Sequence, residues 1–287
     1  MSSVRKDVGR VAASQTLDRA VQVLQLVAGS GASGIGLSEL VKKTGLTKPT
    51  TRRLLLGLIH NGLVEQHHGE DRRYYAGAET YALGMLASER FGIHRLATES
   101  LISIAVRSGD AALLSVRRGY ETVCLAREEG TYPLRSQVLK PGDRHPIGVG
   151  GGGLALLSIM SDDEVHQALA FNAERFAANY PTLSPELLKR QVQETRTRGY
   201  AINPGLIVKG SYAIGVAIQD PRSGMSAALA IAGVESRFTD DHIRKLATIL
   251  QEEKDRLEMR MQHFEHAPGG SKPRSASRRS FESTQPL

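Results

Sequence analysis

A segment of 39 residues, from Leu37 to Tyr75, constrains this chain more than any other part of its sequence. Its letters are LSELVKKTGLTKPTTRRLLLGLIHNGLVEQHHGEDRRYY. Two stretches with helical periodicity are separated by a glycine-containing turn and followed by two short strand-like stretches around a polar turn. This order is typical of a winged helix-turn-helix, whose second helix enters the major groove of DNA. The segment therefore predicts both a fold and a binding partner.

Local signals mark where the two helices begin and end. Ser38 is the expected N-cap of the first helix, and Gly45 is the expected C-cap, where φ must become positive. Thr47 is the expected N-cap of the second helix, whose first turn tolerates Pro49 because the N–H that proline lacks would be unpaired there anyway. An Asn-Gly pair at 61–62 ends this helix. Its buried side is predicted to consist of Leu54, Leu55, Leu58 and Ile59.

The opposite side of the second helix carries cations and hydroxyl groups. Arginine can form bidentate hydrogen bonds with guanine, and threonine can contact phosphates or a thymine methyl group. Between Lys42 and Arg53 the chain has five basic residues and no acidic one. The alternative is an ordinary helical domain with a solvated basic face. The predicted DNA-binding residues, three of them in or beside the polar turn, are Lys48, Pro49, Thr50, Thr51, Arg52, Arg53, His68, Arg72 and Arg73.

The distribution of charge favours a polyanionic partner for the N-terminal part. The whole chain has a formal net charge of +7. Residues 1–93 hold 12 Lys and Arg against 8 Asp and Glu, residues 94–266 hold 21 of each, and residues 267–287 hold four basic residues and one Glu. The excess therefore lies at the two ends of the chain, and we expect double-stranded operator DNA as the partner of the first.

The composition is that of a two-domain globular protein without disulfide or membrane signals. A single cysteine, Cys124, cannot form an intramolecular disulfide and suits a reducing compartment; we interpret it as a core residue of a strand. No run approaches the roughly 18 apolar residues that a membrane helix needs, and the first 15 residues lack the apolar core of a signal peptide. We therefore expect a cytoplasmic protein with no membrane association.

The predicted parts are a DNA-binding domain at 14–76, a linker helix at 77–93, an α+β domain with an antiparallel sheet at 94–265 and a disordered tail at 266–287. Thr16 is the expected N-cap of the first helix. The apolar face of that helix is predicted to contain Leu17, Ala20, Val21, Leu24 and Val27. Strands of the second domain are predicted near 111–116, 122–128, 133–139, 200–202, 212–219 and 226–232. Its helices are predicted near 94–107, 153–160, 162–172, 184–198 and 240–264.

The order of these motifs resembles that of the IclR-type family of bacterial transcriptional regulators, over roughly residues 14–264. In the N-terminal part the resemblance rests on residues 15–20 (QTLDRA), 37–40 (LSEL) and 48–55 (KPTTRRLL). In the C-terminal part it rests on residues 142–146 (GDRHP) with the glycines that follow, 198–200 (RGY), 215–218 (GVAI) and 237–241 (RFTDD). No single motif is specific, but their common order over most of the chain is.

The resemblance implies an N-terminal winged helix-turn-helix joined by a linker helix to a GAF-like α/β effector-binding domain. It also implies a repressor or an activator that acts as a homodimer or a dimer of dimers on a palindromic operator and responds to a small organic acid, often an aromatic one. The linker helix is the candidate dimer seam, since it offers apolar side chains. The alternative is that these side chains, Tyr81, Leu83, Leu86 and Phe91, pack on their own chain's second domain.

The resemblance also locates an effector pocket. Where family members commonly have an acidic residue, a cysteine and two serines, this chain has Asn203, Ala213, Ala230 and Ala232. The predicted effector-binding residues are Gly150, Gly151, Gly152, Asn203, Ala213, Ala230 and Ala232, with Asn203 at the rim. Because alanines replace polar anchors, we expect a ligand with a larger apolar or aromatic body than a short keto acid, its carboxylate held by backbone N–H groups at a helix start near Gly153. The alternative is a collapsed core without a ligand.

A second class of function competes for the glycine-rich stretch. Residues 148–153 satisfy the pattern G-x-G-x-x-G, which would favour a metabolite-modifying enzyme that binds a nucleotide if a strand preceded it and opened a βαβ unit. The preceding residues, 141–146, predict a turn instead. No nucleophile accompanies Asp143 and His145, and no Cys/His spacing fits zinc. We therefore expect no catalytic site, no cofactor and no metal.

Overall fold

The computed structural model describes residues 14–67, 72–90, 92–134, 139–219 and 224–264. These residues form an N-terminal unit of three α-helices with a two-stranded sheet and a C-terminal unit with a six-stranded sheet. Across this part of the chain, no helix is long and apolar enough to cross a membrane. The mixed helix and sheet architecture expected from the sequence is confirmed. The predicted tail at 266–287 lies outside the described residues.

The N-terminal unit has the order helix, helix, helix and β-hairpin. Its elements are α1 (Gln15–Gly29), α2 (Leu37–Thr44), α3 (Lys48–His60), β1 (Val64–Gln66) and β2 (Tyr74–Ala76). The two strands pair antiparallel, and Ile35 adds a β-bridge to Tyr74. Residues from every element share one small core. The predicted winged helix-turn-helix is therefore present, with α3 as its second helix.

Most of the predicted end signals of α2 and α3 are confirmed. Gly45 ends α2 with a φ of 68°, and the Thr47 side chain accepts a hydrogen bond from the backbone N–H of Thr50 at the start of α3. The prediction for Ser38 is wrong, because α2 begins one residue before it, with Gly36 at the N-cap and no side-chain cap. Ile35, the residue before this N-cap, is held in the β-bridge to Tyr74 of the wing, so the chain enters the helix earlier than predicted.

The predicted apolar face of α1 is partly wrong. Val23 and Val27 are fully buried, whereas Leu17 is 61% exposed and Val21 is 42% exposed. The sequence of α1 has two neighbouring apolar sides, and the fold buries the one that contains Val23 and Val27. Thr16 does not cap the helix either, because α1 begins at Gln15.

The C-terminal unit is built on a sheet of six antiparallel strands in the order β5-β4-β3-β8-β7-β6. The strands are β3 (Ala111–Arg118), β4 (Glu121–Glu128), β5 (Arg144–Pro146), β6 (Ala201–Pro204), β7 (Ser211–Gln219) and β8 (Ser226–Val234). The helices are α4 (Ala78–Arg90), α5 (Ile93–Ser108), α6 (Gly150–Ser158), α7 (Asp162–Phe171), α8 (Ala173–Asn179), α9 (Pro185–Arg198) and α10 (Asp240–Phe264). The helix α4 connects the wing to this unit, and the proposed boundary near residue 93 stays a prediction.

Helices cover both faces of this sheet. Because side chains alternate along a strand, Leu114 and Val116 of β3 pack in one core with α5 and α10. Leu113 and Ser115 point to the other face, where α6 lies against β7 and β8. The glycine-rich segment is thus placed against the middle of the sheet.

Four details of this unit differ from the sequence predictions. The strand expected at 133–139 is not observed at 133–134, and 135–138 lie outside the described residues; residues 144–146, expected as a turn, form β5 instead because they pair with the edge of β4. The helix expected from about 153 begins at Gly150. The short helix α8 was not predicted. Every pairing among the described strands of the sheet is antiparallel, so the βαβ context that a nucleotide-binding glycine motif needs is not found there.

Candidate DNA interface and effector cavity

The exposed side of α3 carries four of the nine predicted DNA-binding residues. Lys48, Pro49, Arg52 and Arg53 are exposed, on the side opposite the buried leucines. Within the part of the chain that the structure describes, the three cations form no ion pair with a carboxylate. They therefore remain available to an external anion, as contact with DNA phosphates requires. That they bind DNA stays a prediction.

The interpretation of Thr51 as an exposed residue is wrong. Its exposed fraction is 0%, and its hydroxyl donates a hydrogen bond to the carbonyl oxygen of Thr47 at 3.0 Å. Consecutive helical residues are roughly 100° apart, so four neighbours in a row cannot all face the solvent. Thr50 is half-buried and accepts a hydrogen bond from the Thr47 hydroxyl at 2.9 Å. Of the two threonines, only Thr50 remains a candidate for contact with DNA.

The wing contributes cations with different surroundings. Arg72 is exposed and has a φ of 42° in the left-handed region, which few non-glycine residues adopt. Arg73 donates hydrogen bonds from Nη1 to the carbonyl oxygens of Ser33 and Gly34, at 3.3 Å and 3.1 Å. It therefore ties the wing to the loop before α2, whatever contact it makes with DNA. His68 lies outside the described residues.

An open groove of about 670 Å³ runs between α3, the wing and the start of α2. Lys48 and Arg52 line it from α3, and Arg72 lines it from the wing. None of the described residues along it is acidic. The groove is also lined by side chains that were not predicted to contact DNA, among them Ser38, Leu56 and Gln66. The helical spacing of Leu56 from Arg52 was the available signal, since residues four apart share a helix face.

The seven predicted effector-binding residues all line one cavity, between the start of α6 and the sheet. The strand register explains why they meet: Ala213 of β7 pairs with Ala232 of β8, and Gly215 pairs with Ala230. The cavity encloses about 40 Å³. Asn203 is 4% exposed, so its predicted place at the rim is wrong; it is part of the buried wall, and its Oδ1 accepts a hydrogen bond from the N–H of Leu206.

The glycines bring α6 unusually close to β7. A Cβ added at Gly151 would lie 2.8 Å from the backbone carbon of Ile214, and one added at Gly215 would lie 2.6 Å from the backbone carbon of Gly151. No side chain caps the first turn of α6, and that turn lines the cavity. The N–H groups at a helix start have no partner within the helix and favour anions.

A polar wall of this cavity was missed by the sequence analysis. Arg127 of β4 lines the cavity with only 8% of its side chain exposed. Its Nε donates to Glu129 Oε1 at 2.8 Å and its Nη1 donates to the carbonyl oxygen of Leu139 at 3.0 Å. Strict alternation would place it on the face opposite Cys124, but the pairing of β3 with β4 shifts between Leu114 and Ser115. This bulge turns Arg127 to the cavity side.

Two further groups on the wall are held neutral by burial. Burial lowers the pKa of His145 below its usual value, and it raises the pKa of the Cys124 thiol to about 11. His145 Nδ1 is 2.6 Å from the Tyr180 hydroxyl, while its Nε2 is buried without a hydrogen-bond partner among the described residues. Cys124 is 2% exposed, which confirms the prediction of a core residue and adds a place on the cavity wall. No group of three or more metal-ligating side chains occurs in the described ranges.

A winged helix-turn-helix with a cationic groove, joined to a domain with an enclosed cavity, is the architecture of a DNA-binding regulator that can bind a small molecule. Comparison with family models agrees. Residues 16–68 match the IclR helix-turn-helix domain, and residues 85–258 match the C-terminal domain of the bacterial transcriptional regulator IclR. Since the second match alone covers more than half of the chain, this chain belongs to the IclR family of bacterial transcriptional regulators.

Individual relatives are similar over most of their length. The transcriptional repressor IclR of Escherichia coli is 26% identical over 238 residues, which cover 82% of this chain and 86% of that protein. The glycerol operon regulatory protein of Streptomyces coelicolor is 30% identical over 229 residues, 78% of this chain and 86% of that protein. An IclR homolog from Microbacterium hydrocarbonoxydans, solved in complex with 4-hydroxybenzoate, shares the fold with a TM-score of 0.68 at 21% identity, covering 86% and 99% of the two chains.

Proposed function

We propose that this regulator binds operator DNA through α3 and the wing, and that an organic acid in the cavity beside α6 controls this binding. The proposal includes a homodimer or a dimer of dimers, a cytoplasmic location beside the chromosome, and the absence of enzymatic activity. The observation that carries the acid effector is Arg127, a buried cation on the wall of an otherwise largely apolar cavity.

Arg127 is a suitable anchor for a carboxylate. A guanidinium is always charged, and its planar fork can bind a carboxylate through two parallel hydrogen bonds. Burying such a cation is costly unless it is paired, and here Glu129 and the carbonyl oxygen of Leu139 are partners. A ligand carboxylate would add to these contacts or exchange with Glu129, which is 36% exposed. The first turn of α6 favours an anion in the same cavity.

The apolar part of the cavity matches the body of the ligand in chemistry but not in size. The alanines at 213, 230 and 232 present only methyl groups to the cavity, and the polar groups that β7 adds to its lining are those of Ser211 and Tyr212 at the start of the strand. At about 40 Å³ the cavity is smaller than the roughly 150 Å³ that admits benzene in a model protein. An aromatic acid would therefore have to move the side chains that cover Gly150, those of Leu139 and Ile207. A ligand that binds only an opened state shifts the conformational equilibrium, as a regulator requires.

Calorimetry on the full-length protein tests the effector class. 4-Hydroxybenzoate, the compound bound by the structurally similar Microbacterium protein, is the first acid to test, beside short keto acids and the neutral analogue 4-hydroxybenzamide. We expect an aromatic acid to bind and its amide to bind at least about tenfold more weakly, since a charge-assisted hydrogen bond is lost. Arg127→Gln should abolish this preference. Arg117→Gln, which removes an arginine paired with Glu164 away from the cavity, is the control.

Two results would contradict the effector proposal. Tight binding of only the short acids would show that the alanine-lined cavity does not select for a larger body. Equal binding of acid and amide by the wild-type protein would show that Arg127 and the start of α6 do not hold a carboxylate. The second comparison needs no variant, so it does not depend on how Arg127→Gln folds.

The enzyme alternative has less support. The glycines at 151 and 215 allow α6 to pack closely on β7. The strand before the glycine-rich segment, β5, pairs antiparallel with β4 at the sheet edge. Neither feature provides the βαβ turn that holds a dinucleotide. A thermal shift with nicotinamide nucleotides discriminates between the two functions. A clear rise in melting temperature with these nucleotides would favour the enzyme. A rise with organic acids but none with the nucleotides would favour the regulator.

The apolar side of α4 supports the dimer. Tyr81 is 73% exposed, Leu83 is 49% exposed and Leu86 is 68% exposed, so about half or more of each residue is left uncovered by its own chain. Phe91 lies outside the described residues. We expect light scattering at micromolar concentration to give a mass near two or four times 31.1 kDa, and Leu86→Glu to lower it. A mass of one chain for the wild-type protein would refute the dimer.

A further inference from the structure

Leu56 is exposed on α3, although this helix buries its other leucines. The exposed fraction of Leu56 is 57%, against 8% for Leu54, 1% for Leu55 and 7% for Leu58. A single exposed leucine on a protein surface needs no explanation in general. This one does, because it follows Arg52 by four residues and so shares the side of the helix that carries the cations.

The surroundings of Leu56 are cationic. It borders the groove that Lys48 and Arg52 line from the same helix and that Arg72 lines from the wing. No acidic side chain is found among the described residues of this groove. The other apolar side chains along it are either buried, as Leu55 and Tyr74 are, or half-buried, as Leu37 and Ile59 are. Leu56 is therefore the large apolar group that projects from a surface suited to phosphates and base edges.

This combination fits duplex DNA better than a peptide. Grooves that bind an amphipathic peptide offer a broad apolar surface, whereas Leu56 is the one exposed apolar side chain among the described residues that line this groove, beside three exposed cations. On the major-groove edges of the base pairs, the apolar group is the C5 methyl of thymine, and apolar side chains contact it. The backbone next to Leu56 is also open: a Cβ added at Gly57 would meet no atom within 4 Å. A base-pair edge can therefore approach this part of α3.

We infer that Leu56 contacts a thymine methyl group in the operator and so sets sequence preference at that position. This inference rests on the proposed function, in which α3 enters the major groove. It adds an apolar contact to the hydrogen bonds expected from Arg52 and Arg53. Burying one methyl group against an apolar side chain changes affinity by about fourfold.

The test removes the methyl group alone. Full-length protein first selects its preferred sequence from a pool of random duplexes, and each thymine of that sequence is then replaced in turn by deoxyuracil. We expect at least one replacement to weaken binding by the wild-type protein about fourfold. The Leu56→Ala variant should bind the thymine and the deoxyuracil duplexes equally at that position. Leu56→Met, which keeps an apolar side chain, should retain the difference.

A matched control and three outcomes complete the test. Val106→Ala changes another exposed apolar side chain, 67% exposed on α5, and should keep the wild-type response. If a preferred sequence is selected but every deoxyuracil duplex affects the wild-type protein and Leu56→Ala alike, the inference is overturned and the regulator remains. A changed mass of Leu56→Ala in light scattering would also overturn it, because Leu56 would then lie between protein chains. If no preferred sequence is selected, the inference and the proposed function fail together.

Discussion

The two candidate binding regions place their arginines in opposite surroundings. Arg52 and Arg53 are exposed on α3, beside an open groove of about 670 Å³. Arg127 is 8% exposed, on the wall of a cavity of about 40 Å³. Salt screens charges in water beyond about 8–10 Å, and it screens buried charges much less. The affinity that an arginine provides should therefore fall with added salt at α3 and hardly change in the cavity.

The difference also separates two ways of recognising an anion. An exposed arginine gains affinity from any nearby phosphate, largely through the release of counterions. A buried arginine has already lost its water and is held by Glu129 and the carbonyl oxygen of Leu139. It should bind only an anion whose shape and hydrogen bonds fit that place. The first region is expected to provide affinity for DNA in general, and the second is expected to be selective.

The largest expected effect is the response of DNA binding to salt. With about six to ten phosphate contacts, operator affinity should fall on the order of a thousandfold or more between 50 and 200 mM salt. Affinity for an acid effector should change by less than about threefold over the same range, because its partner is buried. Fluorescence anisotropy and calorimetry on the full-length protein measure the two slopes. Operator affinity that does not change with salt, or effector affinity that falls as steeply as operator affinity, would contradict this difference between the two regions.

Substitutions of the exposed arginines should give the next largest effect. Arg52→Ala and Arg53→Ala should each weaken operator binding by about 1–3 kcal/mol. Arg190→Ala, on α9, removes an arginine that is 69% exposed but far along the chain from α3, and it should leave operator binding unchanged. Anisotropy titrations at one fixed salt concentration make the comparison. Wild-type affinity in the double variant of Arg52 and Arg53 would refute the interpretation of α3.

The DNA-binding region could be predicted in detail because its signals are local. The C-cap at Gly45, the N-cap at Thr47 and the leucines of α3 all lie within one short segment, and the structure has them in those roles. The errors there are errors of one or two residues. Thr51 is one helical position from the exposed side, and Ser38 is two residues past the true N-cap. Tertiary packing decides which side of a helix is buried and where the helix begins, and the sequence pattern alone does not show that packing.

The cavity could be predicted only in part. The glycines and alanines came from a family resemblance, and they do line one cavity. Arg127 could not be found this way, because a bulge between β3 and β4 reverses which face it points to. A shift of one residue moves every later side chain to the other side of a strand. Such a shift depends on pairing between distant segments, so a single sequence gives little sign of it.

Filling the cavity should remove effector binding while operator binding persists. Ala230 is 6% exposed and lines the cavity, so Ala230→Phe should lower affinity for an aromatic acid by more than about tenfold, with an overpacking cost of about 1–3 kcal/mol to stability. Because a phenyl ring exceeds the free space, Ala230→Val serves as a milder second variant. Calorimetry measures effector binding, and anisotropy measures DNA binding. Unchanged effector affinity in both variants would show that the effector binds outside this cavity.

A methyl group added at Gly151 should disturb the enclosed region. It would lie 2.8 Å from the backbone carbon of Ile214, so α6 must move away from β7, at a cost of about 1–3 kcal/mol in the free energy of unfolding. Gly152→Ala is the matched control, since its nearest neighbours would be ordinary contacts at 3.6–3.7 Å. Urea unfolding of the two variants gives the difference. Equal stability would show that the close approach of α6 and β7 is not needed.

The smallest effect is expected from the corresponding change in the open region. Gly57 lies inside α3, and an added Cβ would meet no atom within 4 Å. Alanine costs less backbone entropy than glycine in a helix, so Gly57→Ala should raise the free energy of unfolding by about 0.5–1 kcal/mol. Hydrogen exchange at the amides of α3 measures this locally in the full-length protein. Faster exchange in the variant would mean that this face of α3 is covered in the free protein, and the contrast between an open and an enclosed region would then no longer hold.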